Sequence, residues 1–278
     1  MKRILTIQDI SCVGKCSLTV ALPIISAFGV ETSVLPTAVL STHTAFSGFT
    51  FRDLTDDLDG IIRLWQKENI GFDALYTGYL GSFKQLDIVS DLFDKFKTKN
   101  NFILVDPVMA DNGALYKGFD EKFAKAMAKL CSKADIVVPN LTEASFMLGE
   151  KYVASGYNEN YIKTILKKLC NLGAKKAVLT GVSFENGKLG VYGYDSIKKE
   201  YFCYFREHLP QSFHGTGDVF ASALCGALTI GKPLDEALKI AVDYTVESIN
   251  QTISHNDHNW YGVEFEAAFP YLIDRIRK

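Results

Sequence analysis

Short apolar runs alternate with longer stretches of helical period from one end of the chain to the other. The runs Arg3–Ile7, Ser33–Pro36, Ala74–Thr77, Phe102–Val105, Ile136–Val138 and Ala177–Leu179 predict strands. Between them, amphipathic patterns predict helices near 15–28, 55–69, 83–98, 121–132, 142–149 and 159–172. Alternation of this kind argues for βα units and a mostly parallel sheet. The strand-like runs are nearly continuous in apolar residues, as expected where helices cover both faces. The pattern then changes. Leu189–Tyr194 and Glu200–Phe205, divided by Asp195 and Ser196, predict an antiparallel hairpin, and helices follow near 216–230, 234–252 and 264–276. No linker rich in Pro, Gly or Ser and no internal repeat divides the 278 residues, so one domain spanning 1–278 is expected.

Composition narrows the functional class. A net charge of −2 and a pI near 6.2 give no basic surplus for nucleic acid. The N-terminus turns polar too soon for a signal peptide, and no apolar stretch approaches the roughly 20 residues needed to span a membrane. Six cysteines without a CxxC pair fit reduced thiols in a cytoplasmic protein.

The chemistry concentrates at strand ends and in one glycine segment. Gly215-Thr216-Gly217-Asp218 precedes a helix of small apolar residues. Its glycines permit tight backbone geometry, and amides at a helix N-terminus can cradle a phosphate. Asp218 falls in the first turn, a favourable place for negative charge and for a base that removes a hydroxyl proton. Asp106, Asn140, Thr180 and Gly78 each follow a predicted strand, where ligands bind in open parallel sheets. Asn140-Leu141-Thr142-Glu143 reads as a capping box and equally as a source of a water-mediated Mg2+ ligand. Two other patterns fail. Gly14-Lys15-Cys16-Ser17 has Asp9 where a Walker A loop needs its first glycine, and lacks the hydroxyl directly after Lys15. His255 and His258 stand in a polar loop without an evident third metal ligand.

Taken together, these motifs resemble the ribokinase-like small-molecule kinases, and within them the pyridoxal/pyridoxamine kinases. The resemblance runs through Ile7-Gln8-Asp9, the Leu22–Val30 segment, Leu40–Phe46, Thr77–Ser82, Asp106–Met109 and Pro139–Glu143. It implies an α/β fold of ribokinase type, with a mostly parallel central sheet, helices on both faces and a small β lid. The implied activity is transfer of the ATP γ-phosphate to the 5′-hydroxymethyl group of a B6 vitamer. Asp218 takes the base position, with the amides of Gly215, Thr216 and Gly217 as anion hole. Asp106 and Glu143 resemble the Mg-ATP residues, with Asn140 and Thr180 beside the nucleotide. Asp9, His43, Thr44 and Tyr79 map to the pyridine pocket, and 40–52 and 109–117 to lid-forming parts. Mg2+ with ATP, a monovalent cation such as K+, and a homodimer are also implied. Asp9 departs from the Ser that many relatives carry there, which bears on the choice of vitamer; Ala110 departs from a frequent Gly. A hydroxymethylpyrimidine kinase of thiamine synthesis is the nearest alternative, but that group usually has Cys in place of Asp218. A non-catalytic binding protein would be expected to lose the base.

Overall fold

The computed structural model describes residues 1–277. Its elements, in chain order, begin with β1 (Arg3–Val13), α1 (Leu18–Ala27), β2 (Glu31–Thr42), β3 (Phe51–Asp53), α2 (Thr55–Lys67), β4 (Ala74–Thr77) and α3 (Phe83–Phe96). Next come β5 (Phe102–Val105), β6 (Ala110–Asp111), β7 (Ala114–Leu115), α4 (Glu121–Cys131), β8 (Ile136–Val137), α5 (Leu141–Leu148) and α6 (Glu159–Asn171). The chain closes with β9 (Lys176–Val182), β10 (Lys188–Asp195), β11 (Glu200–Glu207), α7 (Thr216–Thr229), α8 (Leu234–Ser254) and α9 (Phe269–Arg277). The backbone divides into two compact units: Met1–Gly78 with the chain from Leu209 onward, and Tyr79–His208.

In the first unit the strand order is β4-β1-β2-β3. β1 pairs in parallel with both β2 and β4, and the short β3 runs antiparallel to β2. Ile4, Leu5, Thr6 and Ile7 have no exposed surface, and neither do the four residues of β4. Successive strand residues face opposite sides, so full burial of both sets means that both faces are covered. α1 packs on β1, β2 and α7; α7 packs on β4 and α8. The chain leaves β1 to form β2 on one side and later returns to form β4 on the other. β1 therefore borders the point where strand order reverses, and the crevice beyond its carboxyl end is the expected place for a ligand.

In the second unit the order is β11-β10-β9-β8-β5. β5, β8 and β9 are parallel, while β10 and β11 complete the antiparallel hairpin expected from the sequence. β6 and β7 form a separate two-stranded ribbon within the 109–117 segment. No helix among the described residues is long and apolar enough to cross a membrane.

Several elements differ from the sequence reading, for two reasons. β4 and β5 coincide with their apolar runs, because every residue in them is core or nearly so. β1 runs six residues past Ile7, and β2 extends at both ends. Their extensions carry polar side chains, which the apolar pattern does not mark as strand. β3, β6 and β7 are two or three residues long and present no periodicity to detect.

The contact between α1 and α7 depends on a missing side chain. Gly226 lies inside α7, and a Cβ there would come within 2.5 Å of the Phe28 ring, which is 6% exposed and cannot swing away. Glycine in a helix interior ordinarily costs about 1 kcal/mol relative to alanine. Here the sign reverses: Gly226→Ala should destabilise the protein by about 1–3 kcal/mol through overpacking. Urea denaturation of the two proteins checks this, and an increase in stability would contradict it.

Candidate active site

The first unit gathers its chemistry where β1 ends and α7 begins. α7 starts at Thr216 with Gly215 as N-cap, and no side chain caps this terminus. The amides of the first turn have no acceptor within the helix and remain open to an anion. Gly215 holds φ 80°, and its Cβ position is filled by the Lys15 carbonyl oxygen, 1.6 Å away. Only glycine allows the 14–17 segment to cross so close to the helix N-terminus. Gly217 has open space at its Cβ position, so its missing side chain leaves the approach to the amides clear.

The crossing aims Ser17 at two acids. Ser17 lies near enough to both carboxyls to favour their ionised forms, through its backbone at Asp218 and its hydroxyl at Asp9. Asp9 also accepts from Ser11 Oγ at 3.3 Å. Burial pushes the Asp9 carboxyl upward, with the two serine hydroxyls opposing the rise. Asp218 keeps part of its surface, yet the protein packed round its carboxyl lifts it to about 7. The Ser17 amide opposes that rise and the nearby Asp9 adds to it. A part-exposed carboxyl with a raised pKa can accept a proton once ionised, and the open helix amides beside it can receive an anion. Cys16, between them in sequence, is pushed up to about 12, first by burial and then by Asp218, and stays a neutral thiol.

His43 follows β2 and is 6% exposed. Its Nε2 lies 2.9 Å from the Tyr261 carbonyl oxygen and its Nδ1 accepts from the Ala45 amide at 3.2 Å. A carbonyl can only accept, so Nε2 carries the proton and both nitrogens are engaged by backbone. Burial, with His214 nearby, holds its pKa below the ordinary histidine value, against the pull of the Tyr261 carbonyl. What His43 presents is a ring face and edge. It joins Phe46 (centroids 4.9 Å), His214 (5.2 Å) and Trp260 (6.1 Å) in an aromatic wall. Phe46 lies 4.7 Å from Trp260. Thr44 stands exposed on the turn beside this wall.

The second unit holds the other predicted residues. Asp106 follows β5 and is 7% exposed. The capping box at α5 is complete: Asn140 Oδ1 accepts from the Glu143 amide, and Glu143 Oε2 accepts from the Asn140 amide, both at 2.9 Å. Glu143 Oε1 also accepts from the Met109 amide at 3.1 Å, and Asn140 Nδ2 donates to the Ala110 carbonyl at 2.8 Å. The first turn of α5 thus anchors the β6–β7 ribbon. Burial lifts Glu143 to about 7 despite its amide partners. Asn140 bridges to Thr180 on β9. Both Asp106 and Glu143 lie close enough to Cys131 to raise its thiol further above the level set by burial. Tyr79 is half-buried and tilted against Phe119 at 5.7 Å.

Each oxygen of Glu143 that accepts an amide has one lone pair left. Among the described residues no three His, Cys, Asp or Glu converge on a point. The oxygens of Glu143 are donors of the kind that a hard cation such as Mg2+ takes, directly or through water.

The structure also gathers Ser11, Ser17, Phe46, His214, Trp260 and Tyr261 near the first-unit candidates, and none of these six is a site candidate of the sequence analysis. Ser17 stands in the Gly14–Ser17 segment, whose spacing fails the Walker A pattern, and it comes near Asp218. The glycine at 14 (φ 140°) was the available signal that the chain turns there. Nothing in the sequence links His43 to Tyr261, 218 positions away. His255 pairs with Glu264.

Comparison with known proteins adds independent findings. The family model described as phosphomethylpyrimidine kinase matches residues 60–262. A Bacteroides thetaiotaomicron protein provisionally named a phosphomethylpyrimidine kinase, solved with pyridoxal, is 40% identical with a TM-score of 0.93. That match covers 98% of this chain and 95% of the other. The Lactobacillus plantarum pyridoxal kinase is 29% identical with a TM-score of 0.90, covering 99% and 97%. A pyridoxal kinase of Dictyostelium discoideum is 27% identical over 272 residues, covering 91% of this chain and 87% of its own.

The raised Asp218 carboxyl has a consequence for stability. The folded protein holds this proton more tightly than the unfolded chain does. Its contribution is complete below the ordinary carboxylate range, near pH 4, and is lost as pH rises through about 7. Asp218→Asn should therefore raise Tm by roughly 2–4 °C at pH 8, with the gain shrinking toward pH 4. Thermal scans across that range test it; a gain independent of pH would show that the carboxyl is not held protonated by burial.

Proposed function

The chain belongs to the phosphomethylpyrimidine kinase family, and from that membership we propose that it transfers the γ-phosphoryl group of ATP to the 5′-hydroxymethyl group of a B6 vitamer. The observation that carries this reading is Asp218 beside the uncapped N-terminus of α7. The 40% identical relative solved with pyridoxal, and the pyridoxal kinases among the other relatives, support the choice of acceptor.

Phosphoryl transfer asks the protein chiefly to position the reactants and to stabilise charge. In this reading Asp218, ionised, accepts the proton of the 5′-hydroxyl as that oxygen attacks phosphorus. The amides of Gly215, Thr216 and Gly217 receive the negative charge that gathers on the transferred group. The developing charge meets dipoles already in place, because the Lys15–Gly215 crossing fixes the helix start. His43, Thr44 and Tyr79 bound the pyridine ring, with Phe46 and Trp260 extending the aromatic wall; Asp9 addresses a polar substituent. Asp106, Asn140, Glu143 and Thr180 serve the nucleotide. Mg2+ arriving with ATP would be held through water by Asp106 and Glu143, and would neutralise phosphate charge there. Segments 40–52 and 109–117 act as lid parts that exclude water. The protein works in the cytoplasm as a homodimer, and a monovalent cation such as K+ accompanies the nucleotide.

The family's own name favours a second reading, phosphorylation of hydroxymethylpyrimidine. Asp218, where that group usually has Cys, weighs for the B6 vitamer. An ATP-consumption screen with pyridoxal, pyridoxamine, pyridoxine and hydroxymethylpyrimidine separates the two. Turnover with the pyrimidine alone would overturn the B6 reading, and turnover with none would overturn both.

Asp218→Asn should lower kcat about 10²–10⁴-fold while leaving nucleotide affinity unchanged. In the wild type, kcat/KM should fall as pH drops through about 7, where Asp218 gains its proton. A variant that turns over at the wild-type rate would remove Asp218 from the base role.

A further inference from the structure

Under the B6-vitamer reading, on which the inference rests for its ligand, the reaction yields a flat pyridine ring that carries a phosphate. A groove in the second unit matches that chemistry, and none of the residues assigned to the reaction lines it. It lies between α3 and α4 and has a volume of about 460 Å³. Sites that hold small ligands span roughly 300–1,000 Å³.

The two helices are pinned at both ends of the groove. At one end the Phe83 ring meets Phe123 edge-on with centroids 5.4 Å apart, and Phe123 is stacked on Phe119 at 4.1 Å. At the other end Lys133 Nζ donates to Asp94 Oδ2 at 2.7 Å and to the Ser90 carbonyl at 3.2 Å. Between these ties Leu86 and Leu130 line the groove as an apolar floor. Both leucines are buried, whereas Phe83 keeps 49% of its surface. A ring fixed on one edge and open on the rest is a platform that another flat ring can cover.

Charge is divided between the two walls. The α4 wall carries Lys122, Lys125 and Lys129, whose spacings of three and four put them on one helix face. The α3 wall carries Asp87. Among the described residues none of these four has an ion-pair partner. The three ammoniums repel one another at that spacing, and Asp87 pairs with none of them. An anion set among the lysines removes the repulsion, and a phosphate monoester supplies roughly two negative charges there. Asp87 suits the opposite group, a positively charged N–H.

We propose that the α3–α4 groove is a second site for the phosphorylated vitamer. The 5′-phosphate lies among Lys122, Lys125 and Lys129, the pyridine ring covers Phe83 above the leucine floor, and the protonated ring nitrogen donates to Asp87. No covalent bond forms or breaks. A nucleotide shares the flat ring and the phosphate, but its adenine carries no positive charge at neutral pH. An unphosphorylated vitamer has the pyridine and lacks the anion. The groove therefore takes the product in preference to either substrate.

Acetylation of the full-length protein with an N-hydroxysuccinimide ester, mapped by peptide mass spectrometry, reads each lysine separately. Pyridoxine 5′-phosphate is the probe, because it has no aldehyde and forms no lysine imine. At about ten times its dissociation constant it should slow acetylation of Lys122, Lys125 and Lys129 about tenfold. The exposed Lys67 and Lys199 should react as before. ADP or inorganic phosphate at the same concentration should protect the three lysines less than ~2-fold. Asp87→Asn should raise the concentration of pyridoxine 5′-phosphate needed for half-protection about tenfold. Absence of protection at millimolar probe overturns the proposal, as does equal protection by ADP or inorganic phosphate. So does an Asp87→Asn protein protected as well as the wild type. The acceptor screen reads the kinase assignment separately. Turnover of a B6 vitamer without protection of the groove sinks the second site alone, and protection without turnover sinks the kinase assignment alone.

Discussion

The candidate site in the first unit hangs on one backbone crossing. The carbonyl oxygen of Lys15 occupies the space where any side chain on Gly215 would begin. From that contact the rest follows in short steps. The 14–17 segment is pressed against the start of α7, so Ser17 comes near both Asp218 and Asp9. Gly262 closes on the same segment: a Cβ there would lie 2.3 Å from Lys15 Cβ. The loop that carries Trp260 and Tyr261 is thereby brought against His43. One close approach, possible only at glycines, sets the anion cradle, the carboxylates and the aromatic wall together.

The second unit solves its problem with a capping box. Asn140 and Glu143 satisfy one another's amides, which any helix start requires, and then reach out to Met109 and Ala110. The same atoms stabilise α5 and fix the ribbon. Structural and functional readings of Glu143 are therefore not rivals. A carboxylate held by two amides is already oriented, and its remaining lone pairs can serve a hydrated cation without further cost in side-chain entropy.

How much of this could be read beforehand depended on the distance over which each feature is encoded. β4 and β5 were found to the residue because burial on both faces writes a continuous apolar run. The polar ends of β1 and β2 were missed because their side chains serve the site and not the core. Gly215–Asp218 and Asn140–Glu143 were legible as local motifs, since a cap or a cradle needs only four neighbouring residues. Ser17 gives no such signal, because its segment fits no nucleotide motif and only a tertiary contact sets it beside the Gly215 turn. Trp260, Phe46 and His214 gave no signal, because exposed aromatics and a lone histidine look alike in sequence whether or not they meet.

The sequence alone determined the order of the core strands and the helices, the acid after the glycine turn, and the family pattern of ordered motifs. Each is written in residues close together, governed by backbone sterics and by the period of burial. Only the tertiary structure decided that Asp9 lies near Asp218, that His43 spends both ring nitrogens on backbone, and that Lys15 closes over Gly215. These depend on segments about 200 residues apart meeting within hydrogen-bond distance. The protonation of a buried acid follows from its neighbours and not from its own identity. That is why the chain could announce two aspartates, and only the fold could bring them near one another.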